Sequence, residues 1–123
     1  MAQTATKIKG IDATYYLAKD VPRAKKFYTE LLGFEPTMTF GEAGAEWTFP
    51  GGESFGLYKP SDSPWHEGSG VLFATDDIKA TIAMCKAHGV ELEDDGQLED
   101  TPVCFMAFGK DTEGNRFILH QRK

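Results

Sequence analysis

Three histidines, His66, His88 and His120, are the side chains here best suited to moving a proton near neutral pH, because imidazole titrates in that range. Their settings differ. His120 falls in the last extended run, where it can contact a ligand or act as a general base; a strand-end histidine bonded to backbone is the plainer alternative. His66 follows Trp65 in a Ser-, Pro- and Gly-rich stretch, and reads as an exposed linker side chain or as part of a cap over a cavity. His88 precedes Gly89 at a helix end, where helix carbonyls would engage it. The spacing of the three makes no metal-binding set. The carboxylates Glu93-Asp94-Asp95 and Glu99-Asp100 flank Gly96 and read as a solvated hairpin. No Ser-His-Asp order, P-loop or G-x-G-x-x-G fingerprint is present. Catalysis is left unassigned, with His120 as a candidate.

Ring surface is the other chemical resource. Phe, Trp and Tyr make up 12% of the 123 residues, enough to fill a core and still line a pocket. Trp47 and Phe49 share one face of a strand, and their spacing does not say which face. The formal net charge is −6. Nucleic acid is thereby excluded as a partner, since phosphate contacts need a basic patch, and cationic ligands are favoured. Cys85 and Cys104 read as reduced, buried thiols. Residues Met1 to Gly10 lack the apolar stretch of a signal peptide, and no apolar run approaches the ~20 residues of a membrane span. A cytoplasmic protein without membrane contact is expected.

The elements that must position these groups follow from hydrophobic period. Ile8 to Leu17 reads as a strand. Asp20 offers an N-cap, and Val21, Ala24, Phe27, Tyr28, Leu31 and Leu32 fall on one helical face. Pro22 sits in the first turn, and Gly33 can take the left-handed position that ends the helix. Phe34–Phe40, Ala45–Phe49 and Ser54–Lys59 are three short extended runs. The order then recurs: Val71–Thr75 as a strand, Asp76-Asp77 as a cap, a helical stripe of Ile78, Ile82 and Cys85, Gly89 as its end, and extended runs at Val90–Glu93, Val103–Phe108 and Arg116–Gln121. Asp20 overlays Asp76, Gly33 overlays Gly89, and Glu35 overlays Glu91. Phe55-Gly56-Leu57-Tyr58 overlays Phe117-Ile118-Leu119-His120. One α+β domain of two βαβββ modules is predicted: module one over 8–60, a linker over 61–70, module two over 71–123. Neither half can bury its sheet alone.

The segments ATYYLAKDVPRAKKFYTELLGFEP (Ala13 to Pro36) and FGKDTEGNRFILHQ (Phe108 to Gln121) resemble the opening and closing signatures of the vicinal oxygen chelate superfamily, the glyoxalase, bleomycin-resistance and dioxygenase fold. The resemblance implies a curled mixed sheet around a U-shaped cavity, with the helices outside. It also implies four positions from which metal-dependent members hold a divalent ion as Lewis acid. Carried over singly, these fall on Ala13, Gly56, Ser69 (or Gly70) and Ile118, none a plausible ligand for Zn, Ni, Mn or Fe. The metal site is expected to be absent, and no cofactor is expected.

Strand alternation then assigns the pocket. Tyr15 and Leu17 share a face with Ala13, Tyr58 with Gly56, and His120 with Ile118. With Trp47, and with Trp65 near the mouth, these are the candidate ligand-binding residues. The implied function is metal-free binding of a small hydrophobic molecule or aromatic cation by a homodimer. The alternatives are a glyoxalase-type metal-dependent lyase or isomerase with unconventional ligands, such as His120 with His66, and a metal-free enzyme using His120 or Tyr58 as acid or base.

Overall fold

In the computed structural model, residues 11–68 and 70–123 are described. The start of the strand expected from Ile8, and Ser69, lie outside them. Module one runs β1 (Ala13–Leu17), α1 (Val21–Leu32), β2 (Met38–Thr39), β3 (Gly44–Thr48) and β4 (Ser54–Tyr58). Module two runs β5 (Val71–Ala74), α2 (Ile78–Ala87), β6 (Glu91–Leu92), β7 (Glu99–Asp100), β8 (Cys104–Lys110) and β9 (Arg116–Arg122). The βαβββ order is thus found twice, with β7 as a short addition that pairs with β8.

Helix boundaries follow the capping chemistry. Asp20 accepts from the Arg23 amide, and Gly33 ends α1 at φ 86°, a conformation only glycine adopts freely. The second helix departs slightly from the overlay: Asp77, not Asp76, caps it, accepting from the Ala80 amide. The Gln121 side-chain oxygen accepts from the Ile78 amide as well. The acidic run is no simple hairpin. Glu93–Gly96 forms a tight turn in which Asp94 and Asp95 take left-handed φ of 50° and 55°, and only Glu99-Asp100 pairs as strand.

The sheets are mixed and open, ordered β1-β4-β3-β2 and β5-β9-β8-β6. The parallel pairs are β1 with β4 and β5 with β9. The curled mixed sheet expected from the resemblance is built from these two sheets, which meet at the edges of β1 and β5. The hydroxyl of Tyr16 joins them: it accepts from the Val71 amide and donates to the Arg116 carbonyl, each at 2.5 Å.

The core is shared between the modules. Tyr28 of α1 packs on Phe55 of its own sheet at 4.6 Å between ring centroids and on Phe73 of the other at 6.2 Å. Phe27 likewise meets Phe117 at 6.0 Å. Neither half owns a closed set of apolar neighbours, as its small size requires. Trp47 belongs to this core. It is fully buried, and its indole N–H donates to the Phe34 carbonyl.

Candidate open-face site

The strand ladders decide which side chains point away from the helices. Tyr16, Ala45, Trp47, Phe55, Leu57, Phe73, Ala107, Phe117 and Leu119 are buried in the core beneath α1 and α2. Their strand neighbours must then point to the opposite, open face. That set contains Ala13, Tyr15, Leu17, Gly56 and Tyr58 in module one, and Ile118 and His120 in module two. The strand parity read for Tyr15, Leu17, Tyr58 and His120 agrees with this geometry. Trp47 is a correction: expected as a ligand contact, it lies on the core face, paired with Phe55, while Glu46 takes the open face beside it.

The open face is built of cross-strand rows. In module one, Tyr15, Gly56, Glu46 and Met38 lie in one row across β1, β4, β3 and β2. Tyr15 spans this row. Its ring covers Gly56, where an added Cβ would lie 2.5 Å from ring carbons, and its hydroxyl donates to the Glu46 carboxylate. Burial, then the hydrogen bond and charge of Glu46, push the Tyr15 phenol up to about 12. The equivalent row of module two, Leu72–Ile118–Phe108, is wholly apolar. His120 sits in the next row, between Ala74 and Met106.

The metal positions can be tested against these residues. Ala13, Gly56 and Ile118 carry no donor atom, and the ladder counterpart of Ala13 in module two is Gly70, which has none either. Gly56 is in addition roofed by Tyr15. Among the described residues no three His, Cys, Asp or Glu side chains converge. The donor set does not fit the family's metal.

The linker residues are placed as follows. Trp65 donates to the Leu17 carbonyl at 2.9 Å, and Lys19 stacks over its ring at 4.0 Å. It is anchored at the C-terminal end of β1, against Gly114. His66 lies with Tyr15 and Leu72 on a hollow of about 490 Å³ at the seam between modules; His120 is not part of its wall. His88 stays at its helix end, with Nδ1 2.9 Å from the Met84 carbonyl. A larger cleft, about 740 Å³, is elsewhere. It opens between the modules on the helix side, lined by Leu31, Phe49, Phe73 and Met84 among others.

The turn Asp111–Asn115 has a role not seen in the sequence. Asp111, Glu113 and Asn115 are all buried, which is unusual for such residues unless they are fully bonded. Glu113 accepts from the Lys19 and Asp20 amides and from Arg23 Nε, each at 2.8 Å. Burial alone would raise its carboxyl, but these bonds and the Thr112 hydroxyl outweigh it and hold the group at about 2. Asp111 accepts from the buried Tyr28 hydroxyl at 2.7 Å. Asn115 donates to the Leu17 carbonyl and accepts from the Gly68 amide. The turn clasps module two onto the β1–α1 junction and the linker.

Paired βαβββ modules with helices on one face and an open face behind define a vicinal oxygen chelate fold. The sequence pattern of the Glyoxalase/Bleomycin resistance protein/Dioxygenase superfamily matches residues 10–119, and the chain belongs to that superfamily. Similar solved structures include a glyoxalase/bleomycin resistance protein from Albidiferax ferrireducens, with 21% identity, TM-score 0.76 and coverage of 92% of this chain and 98% of that one. A lactoylglutathione lyase from Agrobacterium tumefaciens is similar at 18% identity, TM-score 0.75, covering 94% and 96%. A glyoxylase/bleomycin resistance protein/dioxygenase domain from Frankia is similar at 14% identity, TM-score 0.75, covering 95% and 100%. At such identities the likeness concerns the fold. No curated protein sequence matches the chain. No helix among the described residues is long and apolar enough to cross a membrane.

Proposed function

We propose that this chain is a small-molecule binding protein of the glyoxalase/bleomycin-resistance type that uses its open sheet face without a metal ion at the family's positions. The observation that carries the reading is the fate of Gly56. A position that would supply a ligand atom is roofed by the Tyr15 ring, and its partners Ala13 and Ile118 offer no donor. What the face offers instead is apolar and aromatic surface, with Tyr15 39%, Tyr58 43% and Leu72 50% exposed. Such surface suits a planar or hydrophobic ligand held by burial and ring stacking. The proposal includes a homodimer, in which a second copy covers exposed sheet edges.

The test is a ligand screen by NMR combined with metal analysis of protein purified without chelator. Planar ligands should shift resonances of Tyr15, Tyr58 and His120, with no stoichiometric ion present. One equivalent of a divalent ion per chain, with turnover that EDTA abolishes, would overturn the reading in favour of a metal-dependent lyase or isomerase. Sedimentation as a monomer at micromolar concentration would remove the homodimer.

A further inference from the structure

Glu46 stands out on this face because the fold does not require it. Its ladder counterpart in module two is Phe108, with Leu72 in place of Tyr15 and Ile118 in place of Gly56. The same row can therefore be apolar throughout. Module one instead puts a carboxylate at its centre, and no other Asp or Glu falls on the open-face positions of β1, β3 and β4. The side chain is half-buried, and among the described residues it forms no ion pair. Its hydrogen bond comes from a neutral phenol, which orients the carboxylate without cancelling its charge.

The surroundings suit one kind of group. Met38 lies directly opposite Glu46, and Tyr58 lies on its diagonal, within the reach that cross-strand neighbours have. Tyr15 rests one side of its ring on Gly56 and leaves the other toward solvent. A ring face beside a fixed carboxylate attracts a cation twice, through the ring quadrupole and through the charge. A neutral ligand would gain only the ring, and an anion would be repelled.

We infer that Glu46, held by Tyr15 over Gly56 and flanked by Met38 and Tyr58, is a subsite for the cationic end of an organic ligand, of the quaternary ammonium or aromatic-cation class. The inference rests on the proposed binding function of the open face and names its ligand class.

N-methylquinolinium and its neutral relative quinoline serve as probes, titrated separately at pH 7.5 and followed by NMR. The wild-type chain should prefer the cation by about tenfold, the scale of a partly desolvated cation–π contact backed by a charge. Glu46→Gln should abolish that preference and leave quinoline affinity within about twofold, a shift too small to signal a lost contact. Glu35→Gln, an exposed carboxylate outside the row, makes the same change in net charge and should leave the preference intact. If both probes bind equally to the wild type, or if Glu35→Gln weakens the cation as much as Glu46→Gln, the subsite is refuted while open-face binding stands. If neither probe shifts Tyr15 or Tyr58, both the subsite and the proposed function fall.

Discussion

The Tyr15 ring lies across the bare Cα of Gly56, and that contact exists because Gly56 has no side chain. A methyl there would approach the ring to 2.5 Å, inside any real contact distance. The ring is 39% exposed and can swing outward. Gly56→Ala should therefore change stability by less than ~1 kcal/mol while separating Tyr15 from Glu46. The phenol, now at about 12, should fall toward the ordinary tyrosine range. The sign for stability follows: the folded state holds this proton more tightly, so the contribution is full below pH 10.0 and is lost as pH rises through about 12. An NMR titration of the Tyr15 ring checks the shift. A Tyr15 titration unmoved in both Gly56→Ala and Glu46→Gln would show that neither group sets it.

Glu113 makes acid stability testable. Its carboxyl is held at about 2 against an ordinary 4.5, so its contribution is complete above 4.5 and is lost as pH falls toward 2. Glu113→Gln removes the charge that the Lys19 and Asp20 amides and Arg23 address. Loss of charge-assisted bonds at a buried carboxylate should cost ~2–3 kcal/mol at pH 7. Melting curves of the two proteins should converge as pH is lowered from 4.5 toward 2. A gap that stays constant over that range would mean that the variant acts through packing instead of charge.

Tyr16→Phe tests the seam between the sheets. The hydroxyl reaches from β1 to the other sheet, accepting from the Val71 amide and donating to the Arg116 carbonyl. Its removal takes one hydrogen-bond partner from each of these backbone groups, at a cost of ~1–3 kcal/mol. Hydrogen exchange at the Val71 amide should speed up well beyond that of other β5 amides. Uniform acceleration across β5 would point to global destabilisation and not to the loss of a local clasp.

Most of the architecture was legible because period, caps and repeat agreed. Asp20, Gly33 and the four-residue overlay of Phe55–Tyr58 on Phe117–His120 locate both modules before any coordinate is known. Faces were legible only where an anchor existed. Tyr15 and Tyr58 are two residues from positions whose side the resemblance supplied, so parity placed them. Trp47 and Glu46 sit on β3, whose register depends on the loop that joins Thr48 to Ser54. A one-residue change in that loop exchanges the faces, and nothing local in the sequence decides it. Glu46 was missed for that reason. The Asp111–Asn115 clasp was hidden differently: polar residues in a turn read as solvated, and only the approach of the β1–α1 junction buries them.

Tyr58 and Trp47 give the clearest contrast between a ligand surface and a core, and they occupy opposite faces of neighbouring strands. Tyr58 is 43% exposed and makes no side-chain hydrogen bond among the described residues, whereas Trp47 is fully buried and bonded to Phe34. Tyr58→Ala should therefore leave the melting temperature nearly unchanged and weaken binding of a planar ligand by ~1–3 kcal/mol, the scale of one lost aromatic contact. Trp47→Ala should do the reverse first, costing ~3–5 kcal/mol of stability through the cavity it leaves. Thermal melts and calorimetric titrations with the same planar probe separate the two effects. A sharp drop in melting temperature for Tyr58→Ala with affinity untouched would place the binding surface elsewhere, and the helix-side cleft bounded by Leu31, Phe49 and Met84 would then be the surface to examine.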